Sequence, residues 1–96
     1  MAEAARKTVR VIVEGVVQGI GFRYWTERNA RSLGLDGWVR NRRDGTVEAV
    51  FSGPAETVDE MVRRCRQGPR GAEVKQVRLE EGSEPVDPGF ATARTV

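Results

Sequence analysis

The sequence predicts an α+β fold, an antiparallel sheet with two helices on one face. Three observations predict it. Two segments carry apolar residues at helical spacing. Four longer segments read as strands, with a short fifth at the end. Their order along the chain is β-α-β-β-α-β plus that last strand, which is the split βαβ, ferredoxin-like arrangement. With 96 residues, one domain spanning 1–96 is expected, with residues 1–6 frayed.

Residues 8–14 alternate, with Val9, Val11 and Val13 on one side and Arg10, Ile12 and Glu14 on the other. A period of two is the mark of a half-buried strand. Residues 15–21 hold three glycines and read as a loop. A helix over 22–33 follows, because Phe22, Thr26, Ala30 and Leu33 share one stripe with Trp25 beside them. Gly34 is placed to cap it in the left-handed conformation. Residues 35–42 and 46–51 form strands around Asp44-Gly45, a strong hairpin signal. Gly53-Pro54 opens a second helix, with Pro54 at the first helical position, and Val58, Met61, Val62 and Cys65 give its apolar stripe. Gly68-Pro69 closes that helix. In the strand over 73–80, Val77 and Leu79 share parity but Val74 does not, which predicts a bulge or a late start. Residues 81–89 are an acidic loop containing Pro and Gly, and residues 90–94 form a short final strand.

Composition narrows the chemistry. Basic residues number 16 against 14 acidic ones, a surplus of +2. That is too small to argue for nucleic acid, yet it suits an anionic ligand. The chain has no His, which excludes His acid–base catalysis, Ser-His-Asp and Cys-His nucleophiles, and His metal sites. Cys65 is the only cysteine, so no internal disulfide forms, and it reads as a buried small hydrophobe. The first seven residues lack a signal-type apolar core, and no run reaches membrane-spanning length. The chain is therefore expected to be cytoplasmic, and the lack of a long apolar surface stripe argues for a monomer.

The informative segment is Gly15-Val16-Val17-Gln18-Gly19-Ile20-Gly21-Phe22-Arg23, between a strand and a helix. Glycines let the backbone turn tightly and bring its N–H groups to a ligand. The helix adds unpaired N–H groups and the positive end of its dipole, so phosphate is the natural occupant. A turn that merely needs left-handed residues would look the same. No Lys-Ser/Thr follows, as a P-loop requires, and the last glycine of a dinucleotide fingerprint is missing. Arg23 tips the balance. It sits in the first helical turn, where the dipole disfavours a cation, and its fork of donors suits phosphate. Asn41 ends its strand with the parity of Val39, which puts it on the helix side. There it could hold a water. An asparagine ahead of Asp44-Gly45 also suits a turn, and pattern alone leaves both roles open.

The segment from Gly15 to Arg23, followed by Ala30, Leu33-Gly34-Leu35, Gly37-Trp38-Val39-Arg40-Asn41 and Asp44-Gly45-Thr46-Val47-Glu48, closely resembles the acylphosphatase family. Gly53, Met61, Cys65, Gly68-Pro69 and Ala72-Glu73-Val74 extend the resemblance over residues 9–90. Ile20 stands where the family more often has Val, and the stretch after Glu80 departs most. The resemblance implies hydrolysis of acyl phosphates without metal, cofactor or covalent enzyme intermediate. Arg23 would hold the substrate phosphate with main-chain amides around Val17, Gln18, Gly19, Ile20, Gly21 and Phe22. Asn41 would orient the attacking water. Inorganic phosphate would be product and inhibitor, and neither nucleic acid nor membrane would be a partner.

Two rivals share the topology. One is a non-catalytic acylphosphatase-like binding domain of the carbamoyl-transfer type, as in hydrogenase-maturation proteins. Its companion domains are absent from these 96 residues. The other is an RNA-binding domain, which needs aromatics on its central strands; residues 8–14 and 73–80 carry none. A metal-carrying domain of this topology lacks its Cys pair.

Overall fold

A computed structural model of the chain describes residues 5–82 and 85–96. The acidic loop includes Ser83 and Glu84, which lie outside the described residues, as do the first four residues of the expected frayed end. The elements are β1 (Arg6–Val16), α1 (Phe22–Ser32), β2 (Asp36–Asn41), β3 (Val47–Pro54), α2 (Ala55–Gln67), β4 (Glu73–Gly82) and β5 (Phe90–Thr92). They build the expected α+β, ferredoxin-like fold. The sheet order is β4-β1-β3-β2-β5. Its first four strands are antiparallel, while β5 pairs with β2 in parallel, so the finished sheet is mixed.

The alternation in β1 decides which face is which. Val9, Val11 and Val13 join Val39, Val47, Ala49, Phe51 and Val77 in one core with Phe22 and Ala30 of α1 and Val58, Met61, Val62 and Cys65 of α2. Both helices therefore cover one face. The other face carries Ile12 and Val50, which are also buried.

Several boundaries differ from expectation. β1 starts at Arg6, paired with Pro54, so Arg6 is held rather than frayed. It also runs on through Gly15 and Val16, which pair with Val74 and Glu73. At Gly15 φ is 130°, and an added Cβ would stand 2.0 Å from the Glu73 carbonyl oxygen, so only glycine fits there. The register shifts at this point: Glu14 faces Gln76 and Gly15 faces Val74, leaving Lys75 as the extra residue. This is the expected bulge, and it turns Val74 onto the core despite its parity. Leu79 shares a face with Val77 but is exposed near the end of an edge strand.

Helix α1 ends one residue earlier than expected, with Leu33 as C-cap and Gly34 left-handed at φ 71°. Leu35 N–H bonds to Ala30 O and Gly34 N–H to Arg31 O, a Schellman closure. Pro54 is not the first residue of α2. Its ψ of 135° is extended, because the ladder with β1 reaches Pro54, and it serves as the N-cap instead.

Candidate active site

Strand β1 feeds residues 17–21, and these deliver the chain to the N-terminus of α1. Gly19 and Gly21 have φ of 77° and 80°. A Cβ on either would meet nothing within 4 Å, so the left-handed backbone, not lack of space, calls for glycine. Gly21 is the N-cap and no side chain caps the helix. The first main-chain helix bond is Trp25 N–H to Gly21 O at 2.9 Å, which leaves the N–H groups of Phe22, Arg23 and Tyr24 open. Helix ends of this kind can bind anions.

Arg23 extends from that turn. Among the described residues no carboxylate pairs with its guanidinium and no hydrogen bond engages it. It lines a cavity of about 320 Å³ together with Val17, Gln18, Gly19, Gly21 and Phe22. Asn41, the last residue of β2, lines the same cavity. The parity argument held: Gly37 and Val39 are buried toward the helices, and Asn41 follows on their side. Its main-chain oxygen accepts from Val96 N–H at 3.1 Å, while its side chain makes no hydrogen bond among the described residues. Ile20 does not line the cavity; its side chain packs against the core, so only its main chain could serve a ligand.

The family model for acylphosphatase matches residues 9–92. The chain belongs to the acylphosphatase family. The acylphosphatase of Rhizorhabdus wittichii is 51% identical over 87 residues, covering 91% of this chain and 88% of its own. The solved acylphosphatase of Coxiella burnetii superposes with a TM-score of 0.89 at 30% identity, covering 97% of this chain and 100% of that one. The acylphosphatase of Bacillus subtilis gives 0.87 at 33% identity, covering 93% and 99%. Family and relatives support acylphosphatase activity, a hydrolase reaction.

Within this acylphosphatase-family site, four contributions were not legible in the sequence. Gln18 Nε2 donates to Arg42 O at 2.7 Å and to Thr46 O at 2.8 Å. The glycine-rich loop is thereby tied to the β2–β3 turn just past Asn41. Sequence reasoning used only the main chain of Gln18. Tyr24, Glu27 and Thr92 also line the cavity. Glu27 lies one helical turn beyond Arg23, a spacing that could have pointed to it. The Thr92 hydroxyl donates to Glu27 Oε2, and Arg31 Nη1 sits 3.2 Å from Glu27 Oε1. Nothing local marked Thr92, because only the parallel pairing of β5 with β2 brings it there.

Cys65 is buried away from the cavity, and burial pushes its thiol up to about 12, which makes it inert at neutral pH. Among the described residues no three His, Cys, Asp or Glu side chains cluster as metal ligands, and no helix is long and apolar enough to cross a membrane.

Proposed function

We propose that the chain is an enzyme that hydrolyses the carboxyl–phosphate bond of acyl phosphates, giving a carboxylate and inorganic phosphate. One observation carries the proposal. An unpaired arginine, an unpaired asparagine amide and an uncapped helix N-terminus meet in a single cavity of the right family. In this reading Arg23 and the amides of residues 17–22 hold the phosphate. Asn41 accepts a hydrogen bond from water and aims it at phosphorus.

The chemistry needs little more. A bond forms from the water oxygen to phosphorus, and the bond from phosphorus to the carboxyl oxygen breaks. The electron pair leaves on that oxygen. Carboxylic acids have pKa near ~4, so the leaving group departs unprotonated and no general acid is required. The water proton passes to a phosphoryl oxygen, so no protein base is required either. Positioning and charge stabilisation remain, and these dominate phosphoryl transfer. We propose as well that the reaction needs no metal and that the chain acts in the cytoplasm as a one-domain monomer.

The test is turnover of acetyl phosphate and benzoyl phosphate, with inorganic phosphate as a competitive inhibitor that raises the melting temperature. Asn41→Ala should lower kcat by about 10²-fold while leaving KM nearly unchanged, the signature of a group that acts on the water. A raised KM with native kcat would make Asn41 a binding residue instead. Inactivation by a chelator would refute the metal-independent chemistry.

A further inference from the structure

The net charge of +2 hides a lopsided distribution. Antiparallel pairing sorts the connections into two ends. Val47 pairs with Val13 and with Asn41, and Glu73 pairs with Val16. The ends of β1 and β2 and the starts of β3 and β4 therefore gather beside the cavity. The α2–β4 turn joins them: a Cβ on Gly68 would stand 3.1 Å from the Phe22 ring, and one on Gly71 4.0 Å from Ile20. Besides Arg23, that end carries Arg42, Arg43, Arg66, Arg70 and Lys75 against Asp44 and Glu73. At the opposite end Arg6 pairs with Pro54 and Gly82 with Thr8. There Asp36, Glu56, Asp59, Glu80, Glu81 and Asp87 outnumber Arg6, Lys7 and Arg31 among the described residues.

Part of the basic charge near the cavity is already matched. Arg42 Nε lies 3.7 Å from Asp44 Oδ2, and Arg66 sits in the last turn of α2, where it offsets the negative end of the helix dipole. Arg43 and Arg70 differ. Both are exposed, neither lines the cavity, and among the described residues neither forms an ion pair. Arg43 lies two positions past Asn41, and its N–H donates to Val96 O at 2.6 Å, which fixes its backbone beside the site. Arg70 belongs to the turn that backs the glycine-rich loop. Among the described residues that line the cavity, Glu27 is the one acid, and Thr92 and Arg31 already engage its two oxygens.

We infer that Arg43 and Arg70 are steering residues: they draw multiply charged acyl phosphates toward the cavity without touching them once bound. The inference rests on the function proposed above. A concave site surrounded by one sign of charge raises both the local concentration of an oppositely charged ligand and its rate of encounter. The reach of that field is set by salt, with a Debye length of roughly 30 Å at about 0.01 M and roughly 10 Å at about 0.1 M. A field asks for charge and not for geometry. Lysine therefore serves as well as arginine at these two positions, unlike at Arg23.

The experiment measures kcat and KM of the full chain for acetyl phosphate as sodium chloride rises from about 0.01 to about 0.3 M. Native kcat/KM should fall roughly five- to tenfold over that range, through KM, with kcat constant. Arg43→Gln combined with Arg70→Gln should lower kcat/KM roughly three- to tenfold at low salt and meet the native curve at high salt. Arg43→Lys combined with Arg70→Lys should keep the native profile, which a two-pronged contact would not allow. Arg6→Gln removes a charge from the far end and should also leave the profile native. A flat native profile, a loss of kcat in the double glutamine variant, or a deficit that persists at high salt would overturn the steering and leave the hydrolase intact. A native chain that turns over no acetyl phosphate would overturn the function, and the inference with it.

Discussion

Arg23 and Arg40 are the same residue type put to opposite uses. Arg40 lies on the helix-free face of the sheet, where its Nε donates to Glu48 Oε1 at 2.7 Å and its guanidinium lies 4.5 Å from the Trp38 ring centroid. Arg10 approaches the other oxygen of Glu48 from the next strand. Glu48 is only 1% exposed, so it is a buried anion held between two cations. Among the described residues Arg23 has neither carboxylate nor aromatic partner, and it stands at a helix end that already carries partial positive charge. The difference supports the proposed location of the site. On the open face Arg10, Arg40 and Glu48 pair with one another within the chain and serve the fold. At the cavity the positive charge is left over among the described residues, which is what supports the proposed phosphate site.

Exchanging the two roles is the sharpest way to break the comparison. Arg23→Ala should lower kcat/KM by about 10³-fold or more, the scale set by arginines in phosphoryl transfer. Its melting temperature should hold or rise, because a cation leaves the positive end of α1. Arg23→Lys should fail almost as badly, since a point charge does not reproduce a two-pronged grip. Near-native turnover in Arg23→Lys would end the claim that the fork matters. Glu48→Gln should do the reverse. It leaves two guanidinium groups without their anion, and both are partly exposed, so the cost is about 2 kcal/mol, below that of a fully buried pair. A urea melt should register that loss while KM and kcat stay native.

Gln18 sharpens the comparison further, because it joins fold and site in one side chain. Gln18→Ala removes both bonds to the β2–β3 turn and frees the phosphate loop from the strand end that carries Asn41. We expect kcat to fall about tenfold through misplacement, with KM moving less, and stability to drop about 1–2 kcal/mol. An equal rise in KM would place the damage in the phosphate cradle instead.

What was legible in the sequence follows the range of the interactions. The stripes of α1 and α2, the Asp44-Gly45 turn, the Gly34 cap and the bulge beside Val74 are local patterns, and each appears in the structure. The position of Arg23 at the cavity was legible because it violates a local rule. Asn41 was ambiguous: strand parity gave its face, but the same residue suits a turn. The side-chain bonds of Gln18 span more than twenty positions in the chain, and no periodicity encodes them. Thr92 and the parallel edge strand depend on how the chain returns after Gly82, which no local signal fixes. Pro54 was misplaced by one position for a similar reason, since a ladder with a distant strand outweighed the preference of proline for a helix's first residue.

The smallest expected effect concerns pH and the turn that Gln18 grips. Asp44 Oδ1 accepts from Thr46 Oγ1 at 2.6 Å and from Thr46 N–H at 3.0 Å. These bonds, the hydroxyl's first, hold its carboxyl below the ordinary value. A group with a lowered folded pKa stabilises the fold above its unfolded pKa, near ~4, and that contribution disappears as pH falls through the folded value. The turn should therefore be fully formed at neutral pH and loosen only below about pH 4. The Asp44 side chain is 53% exposed, so the loss is small, yet Thr46 O is one of the two anchors of Gln18. Acidification should shift the Thr46 amide resonance first, and the Gln18 side-chain amide should follow it. In Asp44→Asn, which cannot titrate, both signals should stay flat over that range. If the Gln18 signal moved identically in Asp44→Asn, the turn would not be what transmits acid to the site.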